Sequence, residues 1–305
     1  MDSGVSYLRI LAMLCIVVCH LLEGYGNPWS ATFYVGVPLF FVLSASLYGE
    51  RRVKDWRQWG LRRLKRIYLP YVLTLLCFLL VYGFFFPSAF SWSQVLLYAC
   101  CLQGFGAALP GLNHLWFVTA ILVCYAVLPL MQCLRRWALW MWLLAWAAFV
   151  LSLLCFYGRF YWFPLYLVAY FSPVLPLRVQ QVQRCVVVLC IALQVITWKS
   201  LLVFDVATGY VAMRSFLALA LLSLRPLLGE LPLPPFARWM DRLTYPLYLV
   251  HNPLMIGPLS LCSVTPFVGI NVGAILMLSL LLAWAVSRLS RGWQSSPLCA
   301  ITKNR

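Results

Sequence analysis

The chain has 305 residues, of which 64% are hydrophobic and 10% charged, and its formal net charge is +16. A soluble domain carries about 25% charged residues, so this composition excludes a water-soluble globule and points to a polytopic membrane protein. In such a chain a basic excess reports orientation in the bilayer, and nucleic acid is not implied.

Apolar stretches of about 17–25 residues predict roughly ten transmembrane helices, near 5–23, 30–48, 67–86, 114–133, 137–157, 161–177, 185–203, 208–224, 243–261 and 265–287. With both termini cytoplasmic, 19 of the 23 basic residues fall in cytoplasmic loops or the C-terminal tail. Arg159 and Lys199 fall outside, and Arg9 and Arg214 lie within spans. That asymmetry is the positive-inside pattern. The expected fold is an all-α integral membrane bundle forming a single domain over residues 1–305. No long Ser/Gly/Pro linker and no transporter-type internal repeat divides it.

The first stretch carries Arg9 and His20, eleven residues apart. Eleven residues make about three helical turns and roughly 16 Å of rise, so both side chains leave one face. A charge within a bilayer costs about 2.5–3.5 kcal/mol on insertion scales, which makes an intramembrane Arg a functional-site hypothesis. The bland alternative is an Arg that snorkels to the interface. The residues after His20, Leu21 to Gly26, offer no small-x-small cleavage site, so the segment reads as retained. Glu23, three residues after His20, could orient or polarise it across one helical turn; the preferred reading is a solvated loop carboxylate, because Gly24 is expected to end the helix.

The loop from Glu50 to Arg66 is the densest charge cluster and closes with Arg62, Arg63, Lys65 and Arg66 at the entrance to the third span. Arg63 and Arg66 share a face if the helix has already begun. Guanidinium forks there suit a polyphosphate; the alternative is a plain anchor to anionic head groups. For Arg51, Arg52, Lys54 and Arg57 the anchor reading is preferred. Ser93 to Ala108 is too short and Gly-interrupted to span, and reads as interfacial or re-entrant.

His114 begins the fourth span within Asn113-His114-Leu115-Trp116, and His251 lies about midway along the ninth, followed by Asn252-Pro253. Imidazole suits proton transfer near neutral pH, but His251 reads as a hydrogen-bonded structural residue. The twelve cysteines lie mostly in apolar spans without metal-ligand spacing, so they read as buried thiols and no metal site is expected. No nucleophile elbow, paired carboxylates, phosphate-binding Gly loop or dinucleotide fingerprint is present.

These residues resemble the acyltransferase-3 family of membrane O-acyltransferases that modify bacterial surface glycans. Arg9 through His20 resembles its Arg-x10-His signature, and Gly36-Val37-Pro38-Leu39-Phe40-Phe41-Val42-Leu43-Ser44 its second-span motif. Arg62-Arg63-Leu64-Lys65-Arg66 resembles its Arg-x-x-Arg motif, and His114-Leu115-Trp116-Phe117, with Tyr125 and Pro129, its His-Leu-Trp-Phe span. Tyr245 through Pro253 resembles its late Tyr-Ser-x-Tyr-Leu-x-His motif. Ala45 stands where Gly is usual and Pro246 where a small polar residue is usual. The chain looks like the shorter, stand-alone branch.

The resemblance implies a bacterial inner-membrane enzyme that moves an acyl group, most often acetyl, from cytoplasmic acyl-CoA to a saccharide hydroxyl, with polyprenyl-linked sugars among the acceptors. Acyl-CoA is a co-substrate, and no permanently bound cofactor or metal is expected. On this reading His20 is the general base, Arg9 supplies electrostatic or donor-side support, and Arg62, Arg63 and Arg66 bind the CoA phosphates. His114 and Trp116 line the acceptor side. The competing reading is a transporter or flippase for a lipid-linked sugar, since buried Arg and His also mark transport pathways. A non-catalytic scaffold would give Arg9 and His20 no task.

Overall fold

The computed structural model describes residues 2–89, 91–156, 160–197 and 206–295. Arg159, Lys199 and the C-terminal residues Lys303 and Arg305 lie outside them. Among the described residues the chain is all-helical, with no strand. Twelve α-helices follow in order: α1 Ser3–Gly24, α2 Gly36–Gly49, α3 Trp56–Phe85, α4 Trp92–Ala99, α5 Trp116–Cys133, α6 Ala138–Phe156, α7 Trp162–Phe171, α8 Leu177–Thr197, α9 Val206–Leu222, α10 Arg225–Gly229, α11 Pro235–Val250 and α12 Val268–Ser295.

Among the described residues five helical segments are long and apolar enough to cross a membrane: Ser3–Gly24, Pro28–Gly49, Trp56–Phe85, Asn113–Cys155 and Val268–Arg291. The fourth has 43 residues, which at 1.5 Å per residue is about twice the hydrocarbon thickness. It is interrupted by a 3-10 turn, Leu134–Trp137, that carries Arg135 and Arg136. One difference from the sequence reading is local, and one short stretch agrees with it. The third helix begins at Trp56, eleven residues before the expected span, because Asp55 caps it by accepting from the Gln58 N–H at 2.9 Å. The Ser93–Ala108 stretch contains the eight-residue α4, too short to span.

The chain forms two compact units. The first comprises Met1–Cys19, Trp29–Arg52 and Ala120–Arg238. Its centre is α2, apolar on all sides and packed on α7 and α9. The approach to α7 is very close at Gly49, where a Cβ would fall 2.1 Å from the Tyr170 carbonyl oxygen. Ser44 of α2 shares a hydrogen bond of 3.1 Å with Tyr125 of α5. Arg214, the charge within α9, lies over the rings of Tyr34 at 5.1 Å and Tyr161 at 5.8 Å, and these ring faces attract the cation. Arg225 donates to Asp2 at 2.6 Å and to Glu50, joining α10 to the start of α1 and the end of α2.

The second unit comprises His20–Pro28, Val53–Thr119 and Trp239–Arg305. Here α3 packs on α12, and buried tyrosines donate to the end of α4 and to the irregular backbone between α4 and α5. Tyr71 donates to the Tyr98 carbonyl at 2.7 Å, Tyr98 to that of Leu112 at 3.1 Å, and Tyr82 to that of Pro110 at 2.8 Å. Non-helical backbone at membrane depth needs such partners, because lipid offers none. Tyr245 of α11 donates to the Ile67 carbonyl of α3 at 2.9 Å, one residue past Arg66.

Candidate active site

His20 and Glu23 stand three residues apart in the last two turns of α1, a spacing that puts them on one face. Nδ1 of His20 and Oε2 of Glu23 are 3.0 Å apart. This corrects the reading of Glu23 as a loop carboxylate: the helix ends at Gly24, one residue later, and Glu23 still belongs to it. Gly24 lets this helix end dock. A Cβ there would lie 2.6 Å from the Met255 carbonyl oxygen and 2.8 Å from Cys262 Sγ.

Met255 belongs to the segment after α11, and that segment corrects the position of His251. The residue is not midway along a helix. It directly follows Val250, the last residue of α11, where the helix passes into the 3-10 turn Asn252–Leu254, because Pro253 has no N–H to continue the α-helical ladder. His251 is fully buried. Its Nδ1 lies 3.0 Å from the Leu247 carbonyl oxygen and 2.9 Å from that of Tyr248. Asn252 Nδ2 donates to the Gly111 carbonyl at 2.9 Å. Gly111 has φ +73°, a conformation that side chains other than glycine's resist, and a Cβ there would meet the Ile256 carbonyl oxygen at 2.6 Å. The loop before α5 is thereby held against the segment after α11.

That clasp positions His114, which is 5% exposed in the short 3-10 turn before α5. Its Nε2 lies 3.3 Å from the Leu249 carbonyl oxygen, and its own carbonyl accepts from the Tyr248 hydroxyl. All three histidines of the chain therefore converge within one unit. The ring centroids of His20 and His251 are 5.4 Å apart, those of His114 and His251 5.3 Å, and those of His20 and His114 6.4 Å.

The hydrogen bonds assign each tautomer. A carboxylate or carbonyl oxygen only accepts, so the ring nitrogen facing it carries the proton. Nδ1 of His20, Nε2 of His114 and Nδ1 of His251 are then N–H donors. In the neutral state the opposite nitrogens are bare lone pairs: Nε2 of His20, Nδ1 of His114 and Nε2 of His251. Nδ1 of His114 and Nε2 of His251 are buried without any hydrogen-bond partner. A buried acceptor left so costs about 1–3 kcal/mol, and here two sit on rings whose centroids are 5.3 Å apart. The His20 side chain is 16% exposed and opens this cluster to the outside of the unit.

The other residues singled out in the sequence are placed as follows. α1 runs unbroken through Arg9 and His20, with Arg9 half-buried. Arg62, Arg63 and Arg66 are all within α3, so the shared face of Arg63 and Arg66 is real; Arg63 is half-buried and the other two are exposed. Trp116 is half-buried at the first residue of α5, two positions after His114. The structure brings His20 and His114 together and adds two residues that sequence reasoning set aside, Glu23 and His251. A cleft of about 480 Å³ between α3 and α4, lined by Leu76, Leu80, Trp92 and Val95 among others, has no titratable group in its lining.

An all-helical chain with apolar spans, a carboxylate-paired histidine and a basic helix entrance fits an integral membrane acyltransferase. A family model described as an acyltransferase domain matches residues 2–288, and the chain belongs to this acyltransferase-3 family. No curated protein and no solved structure matches it.

Proposed function

We propose that this membrane acyltransferase transfers an acyl group, acetyl in the first instance, from cytoplasmic acyl-CoA to a hydroxyl of a surface or lipid-linked saccharide in the bacterial cytoplasmic membrane. It does so as a bundle of about ten spans with both termini in the cytoplasm. The observation that carries this reading is the His20–Glu23 pair, which holds the imidazole with Nδ1 protonated and leaves Nε2 as a base.

In this mechanism Nε2 of His20 removes the proton of the acceptor hydroxyl while that oxygen attacks the thioester carbonyl. The tetrahedral intermediate collapses, the carbon–sulfur bond breaks, and the CoA thiolate takes the proton back from His20. Glu23 stabilises the imidazolium between these steps, and a placed base of this kind contributes about 10²–10⁴-fold. Arg62, Arg63 and Arg66 bind the CoA phosphates through charge-assisted hydrogen bonds, with Arg9 as a further donor-side cation. His114 and Trp116 line the acceptor side.

The test is transfer of label from radiolabelled acetyl-CoA to glycan in membranes containing the protein or its His20→Ala variant at equal level. Label incorporation that disappears with His20→Ala, while acetyl-CoA still binds, supports the reading. Equal incorporation by both removes His20 from the chemistry.

A further inference from the structure

Arg214 is the one charged residue of α9, and no step of the proposed reaction uses it. An ionised side chain inside an apolar span is costly and marks a functional place by default. Its guanidinium lies over the rings of Tyr34 at 5.1 Å and Tyr161 at 5.8 Å. Tyr34 stands two residues before α2 and Tyr161 directly before α7. The first residue of α7, Trp162, stacks on Phe41 of α2 with centroids 5.9 Å apart. That stack holds the start of α7 against α2, and with it the place of Tyr161. Ring faces attract the cation, but its N–H groups still need acceptors. Among the described residues Arg214 has neither a hydrogen bond nor an ion pair, and its Nε is buried without a partner.

The build of this unit keeps carboxylates away. α2 and α9 pack on each other, and Arg225, just after α9, donates to Glu50, just after α2. The two helices therefore run parallel. Asp2 joins Arg225 at that same end, and Glu230 follows α10. These three are the acidic residues of the unit among the described residues, and Asp205 lies outside them. The 14 residues of α2 rise about 21 Å, so Tyr34 and Glu50 mark opposite ends. The Arg214 side chain leans toward the start of its own helix, away from the carboxylates. Snorkelling alone would leave the whole fork in water, whereas here Nε is enclosed and two rings flank the group.

We propose that Arg214, flanked by Tyr34 and Tyr161, binds the phosphate of a lipid at the end of the unit where α2 and α7 begin. A guanidinium fork matches phosphate oxygens. A lipid carries its phosphate to the edge of the hydrocarbon, where a free ion would have to shed its hydration first. Two kinds of lipid offer this group: a phospholipid head and the phosphate-linked carrier of a saccharide. In the orientation proposed above this end faces outside, where basic residues are otherwise sparse. The site goes beyond the proposed reaction and does not depend on it.

The test is calorimetric titration of the purified protein, in a neutral maltoside detergent, with farnesyl phosphate, farnesol, dihexanoyl phosphatidylglycerol and inorganic phosphate. Farnesyl phosphate should bind roughly tenfold or more tighter than farnesol, and Arg214→Gln should lose that advantage, because charge-assisted hydrogen bonds are removed. Arg178→Gln, which removes an exposed cation from the start of α8, should keep the affinity within about twofold. Phosphatidylglycerol binding as tightly as farnesyl phosphate supports the site and makes its occupant a membrane phospholipid. Weaker binding of phosphatidylglycerol supports it with a carrier lipid as occupant.

Unchanged farnesyl phosphate affinity in Arg214→Gln overturns the proposal. So does farnesol that binds like its phosphate, or inorganic phosphate that binds as tightly as either lipid. The readout is binding, so wild-type protein that transfers no acetyl group would remove the proposed function and leave this site standing. Should Arg214→Gln fail to accumulate, wild-type protein photolabelled with a benzophenone analogue of farnesyl phosphate decides. Label on peptides carrying Tyr34, Tyr161 or Arg214, suppressed by excess farnesyl phosphate, supports the site, and label confined to other peptides overturns it.

Discussion

Glu23 reaches back one helical turn to place its carboxylate 3.0 Å from Nδ1 of His20, and this contact puts the proton of the neutral ring on Nδ1. Replacing Glu23 with Gln removes the charge and lets an amide N–H compete for Nδ1, which would flip the tautomer. The expected outcome is a loss of kcat of roughly tenfold or more with acetyl-CoA binding retained, because the paired carboxylate supports only the protonated form. Steady-state kinetics together with a donor-binding isotherm check this. A Glu23→Gln enzyme of full activity would show the contact to be incidental.

Gly24→Ala tests the docking of α1. The added methyl would sit 2.6 Å from the Met255 carbonyl oxygen, and backbone there cannot yield as a side-chain tip would. Overpacking of this kind costs about 1–3 kcal/mol. We expect a lower thermal midpoint and a larger fall in turnover, as His20 and His251 separate. Unchanged turnover and stability would mean that the helix end is not held as described.

The inner arginines are tested through the donor. Arg63→Ala with Arg66→Ala should raise KM for acetyl-CoA by at least tenfold, since each charge-assisted hydrogen bond lost is worth about 1.5–3 kcal/mol. Arg51→Ala should change KM little. If the double variant inserts correctly and binds CoA normally, the cluster is an anchor to lipid head groups.

A pH-dependent stability prediction concerns Asp2, which lies before the first span. Partial burial pushes its carboxyl up, but the Arg225 guanidinium and the Val5 and Gly4 N–H groups outweigh this and hold it below its ordinary value of 3.8. A carboxyl depressed in the folded state stabilises fully above the unfolded value, and the contribution is lost as pH falls through the folded one. Asp2→Asn should therefore lower the thermal midpoint at pH 7 by no more than about 1 kcal/mol equivalent, since the pair is partly exposed. The difference from wild type should begin to shrink as pH falls through 3.8 and vanish once pH is below the folded value. A difference that persists there would place the effect in the helix cap, where Asp2 accepts from the Val5 N–H at 3.1 Å.

Orientation follows from the basic residues. A reporter fused after Arg305 should be cytoplasmic, and one placed between Ser88 and Ser91 should be outside. The reverse result for both would move the donor site to the opposite face.

Helical class and family were legible from residues alone because both are written in local pattern. Apolar runs predict helices wherever they occur, and the Arg9–His20, Arg63–Arg66 and His114–Trp116 spacings each lie within one element. The start of α3 was missed because its first two turns are basic and polar, and only the Asp55 cap marks them. The pairing of Glu23 with His20 was set aside for a solvated carboxylate, at a helix end that the following glycine left ambiguous.

The sequence by itself determined that this is an α-helical membrane acyltransferase with a histidine on its first helix and arginines at the entrance to its third. Only the tertiary structure decided that His20, His114 and His251, the last two 137 residues apart, meet ring to ring, and which nitrogen of each is bare. The reason is physical. Helical periodicity says which side chains share a face of one helix, but not which face of another helix it meets. The groups that assign the buried tautomers are the backbone carbonyls of Leu247, Tyr248 and Leu249. Every residue type carries a carbonyl, so no letter in the sequence distinguishes those three until packing brings an imidazole against them.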